Sequence, residues 1–419
     1  MLKVMDSPVA EEETGLLTDL DEIARQGAQR MLATALEAEV AAYLATHRGD
    51  RDERGHRRVV RNGKARPRRV TIGSGTLEVQ APRVNDRREG ERFSSRILPP
   101  YMRRSPKVAE VLPILYLRGL STGDFKEALP VLLGSDAAGL SASNITRLVE
   151  VWREEFDGFR HRDLSELDYV YVWVDGIHLT IRLEEDRLCL LVMIGARPDG
   201  TKELVAVEDG YRESKESWGA VLRDLKRRGM RAPVLAVGDR GLGFWSAVRD
   251  VWPETKEQRD WVHRLGNVLD KLPKRLQGRA KEQLREIMYA ETRDAAEREV
   301  ERFRDAYQAK YPKAVASLTR DPEKLFTFFE FPAEHWKHIR TTNVIESTFA
   351  TVRLRQRVTK GAGSRTKGLM MVYKLLDMAQ KRWRRLDGYQ LLPLVRAGAV
   401  FKDGVLVERE DTADRKEAA

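Results

Sequence analysis

The chain has 419 residues, room for roughly two to four domains, and 42% of them are apolar, so real cores can form and wholesale disorder is excluded. Its net charge of +10, from 75 Lys+Arg against 65 Asp+Glu, points to a polyanionic partner. A single cysteine excludes a disulfide scaffold and a multi-cysteine zinc site, the longest apolar run (Leu188 to Ala196) is too short to cross a bilayer, and Met1 to Ala10 has no apolar signal core, so the expectation is a soluble cytoplasmic protein with no membrane partner.

Residues 15–45 carry Leu16, Leu17, Leu20, Ile23, Met31, Leu32, Leu36 and Val40 at helical spacing, with Asp19 and Asp21 as start signals. From Arg51 to Arg69 nine Lys/Arg stand against two acids, without a helical stripe. This reads as a solvated basic loop or as an arm that tracks phosphates, with Arg66, Arg68 and Arg69 as its DNA contacts. Val70 to Val84 alternates β-branched residues around Gly73-Ser74-Gly75, a hairpin signal. Residues 107–157 predict three short helices, the second capped at Ser121-Thr122-Gly123-Asp124, which fits a helix-turn-helix unit or any small bundle.

At Tyr169 the period changes to two. Tyr169 to Val174 reads as a buried strand, followed by Asp175-Gly176 and Ile177 to Leu183; Leu188 to Ala196 reads as a second strand, Glu203 to Val207 as a third, Ser214 to Gly229 as a helix, Pro233 to Val237 as a buried strand and Leu242 to Trp252 as a helix. The order is mixed α/β. Residues 266–336 are charged and helical, an insertion, and 343–385 form one or two basic helices. The domain boundaries that follow are 1–105, 106–165, 166–265, 266–336, 337–388 and a tail at 389–419.

Three acids stand out. Asp175 and Asp239 each follow a buried strand, and Glu346 lies just inside a helix begun by Thr341-Thr342-Asn343. Strand ends are where an α/β sheet delivers chemistry. Three convergent carboxylates repel one another until cations neutralise them. Two Mg²⁺ ions held by such a trio can activate a water or a 3′-hydroxyl and neutralise the departing oxygen of a phosphodiester. Singly, Asp175-Gly176 also reads as a hairpin turn, Gly238 to Gly241 as a turn after a strand, and Glu346 as a solvated helix charge. His178, at an odd offset from Asp175, should face away from it. From Arg353 to Arg385 eleven Lys/Arg accompany one acid, Asp377, with an apolar stripe threaded through, which reads as DNA-backbone neutralisation or as a solvated helix face.

Four segments together resemble the Mutator-type transposases of bacterial insertion sequences: Val172-Trp-Val-Asp175-Gly-Ile; Val237-Gly-Asp239-Arg-Gly, 64 residues on; Gln258-Arg-Asp260-Trp-Val-His263; and Arg340-Thr-Thr-Asn343-Val-Ile-Glu346, 107 residues after Asp239 and followed by Arg353 to Arg357. The third matches a signature of Cys or Asp, two residues, then His; this chain has the Asp form. The resemblance implies a ribonuclease H-like catalytic core split by an all-helical insertion, behind mainly helical N-terminal DNA-binding elements. It implies an Asp-Asp-Glu site in which Asp175, Asp239 and Glu346 hold two Mg²⁺ (Mn²⁺ as substitute). It implies double-stranded DNA as substrate, with Arg340, Asn343, Arg353, Arg355 and Arg357 as further contacts, and a nucleoid-associated bacterial homodimer. His263 reads as a satisfied strand-end histidine or as a catalytic residue that orients Asp239 or touches the scissile phosphate; Asp260 is its accessory. Asp260 and His263 alone offer too few ligands for zinc. Trp261 reads as core or as a platform for a displaced base. Outside the resemblance, the same features allow a non-catalytic DNA-binding regulator, or a structure-selective nuclease that cuts without joining.

Overall fold

The computed structural model describes residues 9–118, 142–181, 187–210, 212–239, 243–359, 361–362 and 364–407. It divides into two compact units, Met1–Leu148 and Val149–Ala419. The second of the three helices expected in 107–157 lies outside the described residues.

In the first unit, α1 (Val9–Thr46) is followed by β1 (Val59–Lys64), β2 (Arg68–Ile72), β3 (Gly75–Val79) and β4 (Pro82–Asp86), then α2 (Pro106–Arg118). The hairpin forms where the glycines put it: β2 and β3 pair antiparallel from Arg68↔Val79 to Ile72↔Gly75 across Gly73-Ser74. Leu36 of α1 packs on Val70, Leu77 and Val79 from that hairpin. The basic stretch is not a plain loop, because β1 lies within it and pairs antiparallel with β4. Nor is Arg68 free for a phosphate. It is half-buried and donates to the carbonyls of Leu98 and Pro99 at 2.8 and 2.9 Å, closing the small sheet. Arg66 and Arg69 stay exposed.

In the second unit, α3 (Ala142–His161, which spans the boundary) leads into β5 (Tyr171–Leu179), β6 (Leu188–Ala196) and β7 (Lys202–Gly210). Then come α4 (Lys215–Arg227), β8 (Leu235–Gly238), α5 (Phe244–Val251), β9 (Lys256–Arg259) and α6 (Trp261–Leu269). The strands form one mixed sheet in the order β7-β6-β5-β8-β9. β7, β6 and β5 are antiparallel neighbours; β5, β8 and β9 are parallel. Every residue of β6 is buried, the signature of a strand covered on both faces.

Period-two alternation assigns the faces of β5. Val172 and Val174 pack with Trp218, Leu222 and Leu225 of α4 and with Phe244 and Val248 of α5. Tyr171 and Trp173 point the other way: the Tyr171 hydroxyl bonds His335 Nδ1 at 2.8 Å, and Trp173 Nε1 donates to the His338 carbonyl at 2.8 Å. Asp175, two residues on from Trp173, shares that second face.

The chain from 266 to 336 is helical wherever it forms regular structure: α7 (Lys274–Met288), α8 (Arg293–Tyr307), α9 (Pro312–Leu318) and short helical turns. Arg/Glu pairs three and four residues apart line its solvent side, such as Arg293–Glu297 at 2.9 Å. Two helices return to the sheet. α10 (Asn343–Thr359) packs on β5, and α11 (Arg365–Gln380) packs on β7 and β6, burying Met370, Met371, Val372, Leu375 and Leu376. The short α12 (Leu392–Arg396) and a hairpin of β10 (Phe401–Lys402) and β11 (Val405–Leu406) finish the described chain.

Candidate active site

The register of the parallel strands builds the site. Val174 pairs with Gly238, and Gly238 pairs with Arg259. The next residue on each strand is an aspartate: Asp175, Asp239 and Asp260. Residues in register on neighbouring parallel strands project from the same face, about 4.8 Å apart from strand to strand. One row of three carboxylates therefore crosses the sheet where β8 and β9 end. Asp175 itself is not at a strand end. β5 runs on to Leu179 because β6 keeps pairing with it on the other edge, Asp175 opposite Val192. This corrects the strand-end and hairpin-turn readings; the position matters because the parallel partner stops there. A Cβ on Gly176 would meet the Glu213 carboxylate, which places Glu213 against this stretch of β5.

The three aspartates have different environments. Asp260 is buried and spent. As the N-cap of α6 it accepts from the amides of Val262 (3.2 Å) and His263 (2.8 Å), and it also accepts from the amide of Thr342 (3.0 Å) and from His263 Nδ1. Beside it, the Trp261 amide donates to the Arg340 carbonyl at 3.0 Å. These bonds pin the start of α6 to the loop that begins α10. His263 thus sits in the first turn of a helix, not at a strand end. Asp175 keeps one short bond, from the Gly176 amide at 2.8 Å. Burial pushes its carboxyl up to about 7, the amide and the charge of His263 oppose that rise, and Glu213 and Glu346 reinforce it. Asp239 is half-buried and directly follows β8.

Glu346 arrives from the first turn of α10, its Oε1 3.5 Å from His263 Nε2. The hydrogen bond from Asp260 raises His263 to about 9 against its burial, with the charges of Asp260, Asp239 and Asp175 adding to the rise. An imidazolium at neutral pH therefore touches Glu346 and feels the charges of Asp175 and Asp239. Glu346 thus touches His263, and Asp175 and Asp239 lie near enough for their charges to act on that ring, but the oxygens of Asp175, Asp239 and Glu346 do not all come within 4.8 Å of one another.

Two sets of three side chains have ligand atoms within 4.8 Å of one another among the described residues: Asp260, His263 and Glu346; and His178, Cys189 and Glu213. The first is a poor cation site, because the oxygens of Asp260 already take four donors. In the second, burial raises the Cys189 thiol to about 12, so it lacks the thiolate a metal needs. His178 faces away from Asp175, as its odd offset requires, and bonds Glu213 Oε1 at 3.0 Å. Asp175, Asp239 and Glu346 are hard carboxylates, one of them destabilised by burial, of the kind that Mg²⁺ or Mn²⁺ takes, but not all three lie within 4.8 Å of one another, so an ion would have to draw them in. Glu213, near Asp175, has no signal in the sequence.

The predicted DNA contacts separate. Asn343, Arg353 and Arg357 are exposed on α10. Arg340 is buried: its Nη1 donates to the Met288 carbonyl at 2.6 Å and its guanidinium lies over Tyr289 and Phe328. Arg355 is buried too. Both expectations are corrected, since neither side chain is presented to solvent. Within α11, Arg365 pairs with Asp209 at 2.7 Å, and Lys374 pairs with Glu155 and with Asp377. Trp261 is fully buried, with Nε1 donating to the Leu325 carbonyl at 3.1 Å, so it is core.

No helix among the described residues is long and apolar enough to cross a membrane. Residues 3–385 match the family described as transposase, Mutator family. The transposase for insertion sequence element IS6120 of Mycolicibacterium smegmatis is 60% identical over 302 residues, which are 72% of this chain and 93% of that protein. The transposase for IST2 of Acidithiobacillus ferrooxidans is 45% identical over 295 residues, 70% of this chain and 100% of that protein. The transposase for IS256 in transposon Tn4001 of Staphylococcus aureus is 26% identical over 370 residues, 87% of this chain and 91% of that protein.

Proposed function

The chain belongs to the Mutator family of transposases, and from that premise we propose that it binds the terminal inverted repeats of its element, hydrolyses the phosphodiester at the element end, and joins the freed 3′-hydroxyl to target DNA. The observation that carries the chemistry is that Asp175 and Asp239 directly follow the registered pair Val174–Gly238, while Glu346 touches His263, whose ring feels the charges of both aspartates. The antiparallel-then-parallel sheet, with acids at the ends of its parallel pairing and on the helix packed over it, supports a ribonuclease H-like core.

In this reading Asp175, Asp239 and Glu346 hold two Mg²⁺ ions, which, when bound, make a water or 3′-hydroxyl nucleophilic and neutralise the leaving oxygen. The protein does the rest. Asp260 fixes the ring of His263 and ties α6 to α10, so that Glu346 is held beside His263. His263, protonated at neutral pH, offers Nε2–H to Glu346 or to a phosphate oxygen. Burial of Asp175 keeps water away from one side of the site. The exposed Asn343, Arg353 and Arg357, with Arg66 and Arg69, contact the DNA backbone. Joining two element ends needs two active sites, so the protein acts as a homodimer on DNA; a synaptic complex with the mass of one chain would contradict this.

The test is incubation of the full chain with DNA bearing the ends that flank its gene, with Mg²⁺. The expected products are nicks with 3′-hydroxyls at the element boundary, then joined strands, all lost with EDTA. Binding without nicking, unaffected by EDTA, would make the protein a regulator. Nicking without joining would make it a nuclease.

The two classes of arginine predict opposite results. Arg353→Ala and Arg357→Ala should leave stability near wild type and each lower the salt slope of DNA binding by about 1. Arg340→Ala should cost on the order of 2–4 kcal/mol in a denaturant melt, because it strips a buried carbonyl and three aromatic rings of their partner, and it should leave that slope unchanged. A slope that falls for Arg340→Ala in folded protein would reverse the assignment.

A further inference from the structure

A cavity of about 540 Å³ opens beside Asp239, lined by Asp239, Asp260, Asn267 and Ser317 and by four cationic side chains, Arg259, Arg264, Lys271 and Arg320. The mechanism above uses none of these four. The cavity's floor is unusual. Arg259 is 5% exposed and stacks on Trp245, its Cζ 3.8 Å from the ring centroid. Among the described residues, Nη2 has a hydrogen-bonding acceptor, Glu257 at 2.9 Å, and Nε and Nη1 have none. A guanidinium does not escape by losing its proton, so buried donors without acceptors are a standing cost. Glu257 does not cancel the charge, because it is shared with Arg249 at 2.6 Å and Lys324 at 2.9 Å.

The walls are fixed and the mouth is charged. Arg264 Nη1 donates to the carbonyls of Ser317 (2.6 Å) and Arg320 (2.8 Å), tying α6 to the end of α9. Lys271 and Arg320 are exposed at the rim, with Asn267 as a neutral donor. Of the two acids in the lining, Asp260 is consumed by its four donors, and Asp239 is one of the acids assigned above to the cations.

We infer that this cavity is a phosphate subsite, in which Lys271 and Arg320 contact one backbone phosphate of the DNA strand next to the cut and the buried charge of Arg259 favours it from behind. Held against Trp245, the guanidinium of Arg259 is a fixed positive charge at the cavity, and the direct contacts to a phosphate fall to the exposed Lys271 and Arg320. The volume lies in the range of small-ligand sites, so it admits the sugar as well. Its place beside Asp239 puts the subsite within a few nucleotides of a scissile phosphate lying over the aspartate row. The inference rests on the transposase reading and adds a residue set to it.

The test uses the full chain with Ca²⁺, so that DNA binds without being cut, and duplexes carrying one uncharged methylphosphonate at successive positions around the cleavage site. For wild type, neutralising one position should weaken binding ~10-fold or more, the scale of charged hydrogen bonds lost. In the double variant Lys271→Ala/Arg320→Ala that position should become indifferent while penalties elsewhere persist. Both side chains are on the surface, so the variant should fold even where Arg259→Gln does not. If every positional penalty survives in the double variant, the cavity touches no DNA phosphate and the inference falls. If free dAMP saturates the cavity while no DNA position couples to it, the site is for a nucleotide and the inference also falls. Wild-type cleavage of unmodified DNA with Mg²⁺, run in parallel, keeps the two readings apart. Cleavage without coupling removes only the subsite; no cleavage removes the function on which it rests.

Discussion

Asp175→Asn is expected to abolish strand cleavage, by ~10³-fold or more, while making the metal-free protein more stable above neutral pH. The two effects share one cause. Burial raises the folded carboxyl to about 7, whereas in an unfolded chain it titrates near ~3.9. Between those values the folded state holds the extra proton, so stability falls as pH rises from about 4 to 7 and stays low above. Removing the ionisation should recover on the order of 2–4 kcal/mol at pH 8 in EDTA. Thermal melts of wild type and variant from pH 5 to 8 measure this directly. Saturating Mg²⁺ should narrow the difference, because only the wild type has a carboxylate to give to the ion. A variant that is both inactive and less stable at every pH would mean that Asp175 serves the fold and not the chemistry. Glu346→Gln, at a half-exposed position, should match it in lost cleavage but leave stability nearly unchanged.

Asp260→Ala should give the largest loss of stability among single changes at the site, ~3–5 kcal/mol. It removes an N-cap and the acceptor that joins α6 to α10, and leaves the Thr342 amide buried without a partner. Cleavage should fall with it, because Glu346 and His263 lose their common anchor. Asp260→Asn separates the contributions. Its carbonyl can keep the bonds to Val262 and Thr342, so the stability loss should be smaller. Without the anionic partner, however, His263 should drop from about 9 toward its ordinary 6.5, observable by NMR titration of the ring. The stability that protonated His263 lends below about 6.5, and loses as pH climbs to about 9, should vanish in that variant. A denaturant midpoint for Asp260→Ala equal to that of wild type would refute the clamp.

Several of these features could be read in the sequence, and the others failed for identifiable reasons. Asp239 and Glu346 were legible because a short apolar strand and a Thr-Thr-Asn helix start flank them. Asp175 stands out in the sequence through a feature the fold does not have. An apolar run ending in Asp-Gly looks like a strand end, and only the pairing with β6 shows that the strand continues. β9 left no trace, since Lys256-Glu-Gln-Arg259 is short and polar. Gln258 is nonetheless buried there, bonding the Leu325 carbonyl and the Phe328 amide. Without β9 the row of aspartates is invisible, and Asp260 looks like an accessory to His263 instead of the brace of the whole site. The arginines erred in the opposite direction. Arg68, Arg340 and Arg355 lie in basic runs beside exposed neighbours, and charge alone does not tell which of them turns inward.

The most direct test of the account is to count Mn²⁺ bound per chain, by electron paramagnetic resonance, in wild type and in Asp175→Asn, Asp239→Asn and Glu346→Gln. Wild type should take up two ions, with affinity climbing as pH approaches 7 and level beyond it, and each amide change should lose at least one of them. Wild-type protein that binds no Mn²⁺ between pH 7 and 8, or variants that bind it as wild type does, would contradict the claim that these carboxylates form a cation site.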